Sequence, residues 1–545
     1  MNQPAWNGFV TSLLDCYDVP RVPLGRLLCD RHRGLALGYE GPSGAVRWSY
    51  QELGERSIRL AGALQEAGLS AGDRVAVMLP KSPELVAALL AVWRAGAVHV
   101  PLFTAFGPDA VAYRVRHSGA RMVITDSANR GKFAGTDDDA VAFFCLRAGG
   151  TALPRGDRDL AAVIEGAPYG LEVPRSGDDL LILLYTSGTT GQPKGVELPV
   201  RALASIHAYM HFGLDVRSDD VFWNIADPGW GYGLWFAILG PMLLGQATLL
   251  RGLPFDAADV LAAIASHSVT NLTAAPTVYR ALRAAGVPRG FRDASPLRRA
   301  SSAGEPLNPE LLEWSARELG IPIHDHYGQS ELGMPAGFAH HPSLHQEPVP
   351  GSMGFPAPGY RVAILDSDGR ETGPGTTGEL AVDVGASPLY WFRGYYRDPE
   401  RTRERYAHGP RYYLTGDAAR WDDAGLLHFA SRTDDVITSA GYRIGPFEVE
   451  SVLLAHPAVA EAAVIGTPDP RRGEAVTAFV VTMPGTPGTP QLAEELQQFV
   501  KTRLARHLYP RHVRFTEALP RTPSGKIQRN VLRQEWRELA DEVPA

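Results

Sequence analysis

Lysine is scarce in this chain of 545 residues: only Lys81, Lys132, Lys194, Lys501 and Lys526 stand against 48 arginines. Two of the five, Lys194 and Lys526, lie in loops of Gly, Ser, Thr and Pro. Either chance put them there, or those sites need a compact ammonium on a flexible stem, which guanidinium does not replace. Cysteine is nearly absent as well. Cys16, Cys29 and Cys145 have no metal-ligand spacing and leave one thiol unpaired, which fits a reducing compartment. Long hydrophobic runs are missing: Arg94 interrupts residues 86–100, and Gly240-Pro241 interrupts residues 235–250. Neither is long enough to span a bilayer. Residues 4–20 contain acids and no long apolar core, so they do not read as a signal peptide. A net charge of −7 gives no electrostatic footprint for nucleic acid. Without repeats or a low-complexity tail, the expectation is a soluble cytoplasmic protein large enough for more than one domain.

What is present centres on one stretch. The apolar run 180–185 reads as a buried strand. It leads into Thr186-Ser187-Gly188-Thr189-Thr190-Gly191-Gln192-Pro193-Lys194-Gly195. Glycines admit a ligand close to the backbone, and free N–H groups, hydroxyls and one lysine suit a phosphate chain. A Walker A loop needs Gly-Lys-Ser/Thr; here Pro193 precedes Lys194 and Gly195 follows it. The stretch is a phosphate loop of another kind or an ordinary turn.

Around it the chain alternates helix and strand signals. Ser49-Tyr50-Gln51-Glu52 is a capping box, 74–79 reads as a strand, and Ser82-Pro83 opens a helix that Gly96 ends. Residues 98–102 and 121–125 read as further strands, and this βαβ rhythm predicts a parallel sheet covered by helices. Residues 127–179 read as a polar, irregular surface excursion. A second βα rhythm runs from 220 to 324, with a helix expected over 201–212 before it. Beyond about 351 the signals turn to β, and 432–545 has its own small αβ pattern. The fold class is therefore α/β: a large N-terminal domain of two α/β lobes with a β-rich subdomain, plus a small C-terminal α+β domain. The segment Asp227-Pro228-Gly229-Trp230-Gly231-Tyr232-Gly233 suits a ligand wall or a tight turn that packs its aromatics inward.

Polar loops follow several strand ends, where sheet proteins bind ligands. They are Gly304-Glu305-Pro306, Asp325-His326-Tyr327-Gly328-Gln329-Ser330-Glu331, Thr415-Gly416-Asp417, Arg432-Thr433-Asp434 and Ser524-Gly525-Lys526. Together and in this order, from about residue 30 to 535, they resemble the acyl-adenylate-forming superfamily of acyl-CoA synthetases, peptide-synthetase adenylation domains and firefly luciferase. Tyr327–Glu331, Ser439–Glu448 and Ser524–Arg529 are most similar to the medium-chain acyl-CoA synthetase branch.

The resemblance implies a reaction in two steps. A carboxylate attacks the α-phosphate of ATP to give acyl-AMP and pyrophosphate, and a thiol then displaces AMP. It implies domains at 1–432 and 433–545, the second mobile about a hinge at Asp434. Thr186, Ser187, Gly188, Thr189, Thr190, Gly191 and Lys194 would hold the β- and γ-phosphates. Ser330 would meet the α-phosphate and Glu331 would ligate Mg²⁺. Gly304, Glu305, Pro306, Asp325, His326 and Tyr327 would line the adenine, with Gly328 and Gln329 also in the ATP site, while Asp417 would accept both ribose hydroxyls with Arg432 nearby. Lys526, with Ser330 and Glu331, would carry catalysis. Ala440, Gly441, Tyr442, Arg443, Arg472, Tyr509, Pro510 and Arg511 would flank coenzyme A.

Three residues depart from the usual wording: Ser330 for threonine, Ala440 for serine, and no histidine within 196–199. Acetate-specific relatives carry a tryptophan that closes the acyl pocket at the position of Gly328; glycine there leaves space, so the expected substrate is larger than acetate, a medium-chain aliphatic or aromatic acid. Trp230, Tyr232, Gly233, Trp235, Ala303 and Gly328 are its candidate lining. The partners implied are a small carboxylic acid with ATP, Mg²⁺ and coenzyme A; a carrier-protein thiol is the alternative acceptor, and a homo-oligomer stays open. A catalytically dead nucleotide-binding protein is the third reading, against which the intact Glu331, Asp417 and Lys526 speak.

Overall fold

The computed structural model describes residues 3–42, 44–136, 141–147, 151–186, 193–433, 435–439, 442–469, 471–504, 508–522 and 526–542. The strand Leu180–Thr186 is buried from Leu181 to Tyr185 and lies near one edge of a seven-stranded sheet. From the far edge the order is Arg158–Asp159, Ala142–Leu146, Ala120–Asp126, Arg74–Met78, Val98–Pro101, Leu180–Thr186 and Lys194–Pro199. All neighbours run parallel except the last pair, which is an antiparallel hairpin with Thr186 opposite Lys194. This pairing sets Thr186 and Lys194 side by side. Parallel strands need covered faces. The helices Tyr50–Glu66 and Pro83–Arg94 supply that cover, the first opened by the expected Ser49–Glu52 capping box and the second capped by Ser82.

The second lobe is a nine-stranded sheet. Its parallel centre holds Phe222–Asn224, Asn271–Ala274, Arg299–Ala303 and Ile323–Gln329, with Ala303 opposite His326. The residues after these strands, Asp227, Gly304–Pro306 and Ser330–Glu331, gather at one edge, as the geometry of parallel sheets requires. A four-stranded antiparallel sheet follows, in which Tyr412–Trp421 pairs with Leu427–Arg432 and sets Asp417 opposite Arg432. The C-terminal domain is a five-stranded sheet with the helices Pro446–Leu454, Pro490–Arg503 and Arg529–Glu542.

Two readings change. Residues 127–179 are no mere surface excursion, since Ala142–Leu146 is an inner strand with Phe143, Phe144 and Cys145 buried, and Leu160–Gly166 is a helix. The helix expected over 201–212 is instead a 3-10 turn at Val200–Ala202, an α-helix at Leu203–Ala208 and a wider π turn at Tyr209–Gly213. Among the described residues no helix is long and apolar enough to cross a membrane.

Candidate active site

A cavity of about 750 Å³ opens where the two lobes, the four-stranded sheet and the C-terminal domain meet. Its phosphate-side wall begins at the hairpin. Thr186 and Lys194 line it; Ser187, Gly188, Thr189, Thr190 and Gly191 lie outside the described residues. Thr186 Oγ1 is buried and has no hydrogen-bond partner among the described residues. Lys194 Nζ donates to Tyr395 Oη at 3.1 Å and stands 4.0 Å from Glu331 Oε1. Tyr395 Oη in turn donates to Glu331 Oε1 at 2.7 Å and accepts from Arg405 Nε at 3.2 Å. Burial lowers the Lys194 ammonium to about 8, with Arg405, Arg432 and Arg401 pushing the same way and Glu331 opposing. Two guanidiniums, Arg405 and Arg432, join Lys194 on this wall, a set of cations that suits anionic groups.

Asp417 is 4% exposed at the cavity floor. Its Oδ1 accepts from Arg432 at 2.9 Å, and its Oδ2 accepts from Tyr327 Oη at 2.5 Å and Gln329 Nε2 at 2.7 Å. A carboxylate offers about four lone-pair positions, and three are taken. A ligand that brings two hydroxyls to Asp417 must displace one of these donors.

On the opposite wall Gly304 has φ +103° and sits against the Trp230 indole, with space for no side chain without shifting the ring. Glu305 pairs with Arg280 at 2.8 Å. Asp325 is buried with Oδ2 accepting from Leu307 N at 3.2 Å and Oδ1 unpartnered among the described residues. Burial raises its carboxyl to about 8 and lowers the His326 imidazole to about 4. Pro306, Tyr327, Gly328 and Ser330 also line the cavity.

The C-terminal domain closes the cavity. Arg521 bridges the domains, 3.8 Å from Glu305 and 2.8 Å from Glu461. Lys526 projects from the turn beyond it, where Thr522 N donates to Lys526 O at 2.8 Å. Solvent reaches Lys526, yet the crowded cleft holds its ammonium below the usual lysine value, against the pull of Glu305, Asp417 and Glu331. Asp435, beside Asp434, pairs with Arg533 at 2.6 Å and Arg529 at 3.4 Å. Asp434, Ala440 and Gly441 lie outside the described residues, as do the side chains of Tyr442 and Arg443. Arg472, Tyr509, Pro510 and Arg511 do not line this cavity. Arg511 lies over the Tyr509 ring at 3.8 Å, and burial and then the nearby Arg472 charge lower its pKa. These four residues, expected to flank coenzyme A, are therefore apart from the cavity in this arrangement.

The acyl-side expectations divide. Trp230 and Gly328 line the cavity, whereas Tyr232, Gly233, Trp235 and Ala303 do not and are buried behind its wall. Tyr232 hydrogen-bonds Tyr209, Trp235 packs edge-on against Trp391, and a Cβ at Gly233 would overlap the Asp227 carbonyl. Gly328 does not simply leave open space: a Cβ there would overlap Gly333 O and Met334 Sδ. The sequence reading missed Tyr395, Arg405 and Arg114. Arg114 lies over the Phe106 ring at 4.0 Å on the cavity wall, and burial lowers its pKa to about 10. No motif marks these three: Tyr395 meets Lys194 and Glu331, Arg405 meets Tyr395, and Arg114 meets Phe106, all through contacts that follow no local pattern.

Residues 33–396 match the AMP-binding enzyme family and residues 448–526 match the AMP-binding enzyme C-terminal domain. The chain is 36% identical over 510 residues to the mitochondrial acyl-coenzyme A synthetase ACSM3 of Rattus norvegicus, covering 91% of this chain and 86% of that protein. It is 36% identical over 508 residues to acetyl-coenzyme A synthetase of Bacillus subtilis, covering 92% and 87%. The solved acyl-CoA synthetase of Brucella canis is 46% identical, with a TM-score of 0.76 over 98% of both chains. The chain belongs to the AMP-binding enzyme family and, within it, to the acyl-CoA synthetases.

Proposed function

We propose that this protein is an AMP-forming acid:CoA ligase whose acid is apolar and larger than acetate, and that Lys526, Glu331, Asp417 and Lys194 are its central site residues. One observation carries the reading: these four residues, far apart in the chain, face one cavity. The first step brings a carboxylate to a polyanion, so positioning and charge neutralisation supply most of the rate. Lys194, Arg405 and the 186–194 hairpin take the β- and γ-phosphates. Ser330 meets the α-phosphate, Asp417 takes the ribose after releasing one donor, and Gly304–Pro306 with Asp325–Gln329 surround the base. Lys526 then neutralises charge that develops on the α-phosphate and the acyl oxygen.

The donor set also fits Mg²⁺. Glu331 supplies a hard carboxylate and Thr186 Oγ1 a buried hydroxyl with no other partner among the described residues. No group of three acidic, His or Cys side chains stands ready as a complete cage among those residues. A shell shared with phosphates is the usual Mg²⁺ arrangement; held by Glu331 and Thr186, the ion would supply charge neutralisation to the phosphates.

The division at 432/433 and the separation of Arg472, Tyr509 and Arg511 from the cavity support a second arrangement for thioester formation, reached by rotation about Asp434. With Lys526 on the cavity, the present arrangement suits the first step. Ala440–Arg443 together with Arg472 and Arg511 suit the coenzyme A phosphates and the passage of its thiol. A screen of acids for pyrophosphate release, with coenzyme A or a carrier protein as acceptor, tests the reading. Acyl-CoA as product is the expected result, and release with no acid in a broad panel would overturn it.

A further inference from the structure

Tyr395 is buried behind the phosphate-side wall of the cavity. The backbone fixes its place. Val196 and Tyr395 form an antiparallel bridge, Tyr396 N donates to Gly195 O at 2.8 Å, and Tyr395 N donates to Thr402 Oγ1 at 2.9 Å. The segment is thus tied to the strand that begins at Lys194. The ring packs edge-on against Phe392, with centroids 5.1 Å apart, and the Lys194 ammonium lies 4.4 Å from its centroid.

The hydrogen bonds at the hydroxyl leave its proton one place to go. A phenol has a single proton to give, and its oxygen accepts as well. Arg405 Nε at 3.2 Å and the Lys194 ammonium at 3.1 Å carry no acceptor, so both donate to Tyr395 Oη. The phenolic proton is left for Glu331 Oε1 at 2.7 Å. That same oxygen faces the Lys194 ammonium at 4.0 Å. Glu331 Oε2 makes no hydrogen bond or ion pair among the described residues, and Glu331 lines the cavity. The two oxygens of this carboxylate are therefore unlike: the protein holds one and leaves the other open.

The difference bears on which cation the carboxylate suits. Ca²⁺ gathers many oxygens in a flexible shell and readily takes a carboxylate through both of its own; Mg²⁺ is smaller, demands an octahedron and keeps several waters. We propose that Tyr395 is a positioning residue that restricts Glu331 to coordination through one oxygen, and so makes the site favour ATP with Mg²⁺ over ATP with Ca²⁺. This rests on the ligase reading above and on its placement of the cation at Glu331. A cation that needs both oxygens must first break the bond from the phenol to Oε1, a cost that a one-oxygen ligand does not meet.

Calorimetric titration of the full chain with ATP, without acid and in excess MgCl₂ or CaCl₂, reads the ratio of the two dissociation constants. The unaltered protein is expected to bind ATP at least about tenfold tighter with Mg²⁺ than with Ca²⁺. Tyr395→Phe keeps the ring and removes only the hydroxyl; it is expected to bring the two within about threefold, chiefly by tightening the Ca²⁺ complex. Glu331→Asp draws the carboxylate back from an intact phenol and is expected to lower the ratio in the same direction. Adding Tyr395→Phe to Glu331→Asp is expected to change the ratio less than about twofold, because the phenol acts through the carboxylate. Thermal melts identify a variant that has unfolded, and the other then carries the test. An unchanged ratio in a folded variant, or affinity lost equally with both cations, overturns the inference. So does an unaltered protein that binds both complexes alike. The ligase reading is judged separately, by acid-dependent pyrophosphate release in the unaltered protein.

Discussion

The two sides of the cleft are built differently. The floor from the N-terminal domain is a network with its groups already in place: Glu331 is 8% exposed and bonded to Tyr395, and Asp417 holds Tyr327, Gln329 and Arg432. The roof from the C-terminal domain is one solvent-reached lysine on a turn, steadied by Arg521 at Glu305 and by Asn308 Nδ2 reaching Ser451 Oγ at 3.5 Å. A buried hydrogen-bonded network is costly to rearrange, whereas a few partly exposed contacts release more easily. On the proposed function, nucleotide recognition belongs to the fixed floor, and the choice of step to the roof.

Breaking the floor is expected to have the largest effect. Asp417→Ala removes the carboxylate proposed to take the ribose and takes one acceptor from each of Tyr327, Gln329 and Arg432. Hydrogen bonds to a charged group contribute about 1.5–3 kcal/mol each, so kcat/KM for ATP is expected to fall about 10²–10³-fold in pyrophosphate-release assays. A drop under tenfold would mean that the nucleotide does not use this carboxylate.

The phosphate wall gives a pH signature. With its ammonium at about 8, Lys194 loses its charge as pH rises through that value, and ATP affinity must fall with it. The KM for ATP is expected to climb by up to about tenfold per pH unit above 8, and in Lys194→Met this limb is expected to vanish. A profile that is flat between pH 7 and 9.5 in the unaltered protein would contradict the assignment.

Loosening the roof should matter less. Arg521→Ala removes a partly exposed bridge of the kind that contributes up to about 1 kcal/mol, and adenylation is expected to slow about fivefold while acyl transfer from supplied acyl-AMP keeps its rate. Equal losses in both steps would place Arg521 in general stability.

The smallest effect concerns stability. Burial raises Asp325 to about 8 from about 3.9 in the unfolded chain. Stability is therefore full below pH 4 and is lost as pH rises toward 8. Asp325→Asn cannot ionise, so its melting temperature relative to the unaltered protein is expected to rise by several degrees between pH 5 and 8. A constant difference would show that this carboxyl does not titrate on unfolding.

Much of this arrangement was legible in the chain because it depends on local signals. The apolar run before Thr186, the Ser49–Glu52 cap and the strand ends that carry Gly304 and Glu331 are all short-range features. What escaped depends on distance in sequence. Tyr395 meets Lys194 and Glu331 across 201 and 64 residues, and no period announces such a meeting. The inner strand Ala142–Leu146 was hidden by its brevity and by the polar residues on both sides. Gly328 was read as open space, because composition does not tell that Met334 occupies it. Of the three donors on Asp417, Arg432 follows from the pairing of Tyr412–Trp421 with Leu427–Arg432, whereas Tyr327 and Gln329 reach it from the strand Ile323–Gln329 of another sheet.

The central claim is that a fixed floor serves both steps and that Lys526 serves one. It is tested most directly by measuring the two half-reactions separately in Lys526→Ala. Loss of one group that stabilises developing charge is expected to slow acid-dependent pyrophosphate release about 10²–10³-fold. Conversion of supplied acyl-AMP and coenzyme A to acyl-CoA is expected to stay within about twofold of the unaltered protein. Equal loss of both half-reactions would contradict the account.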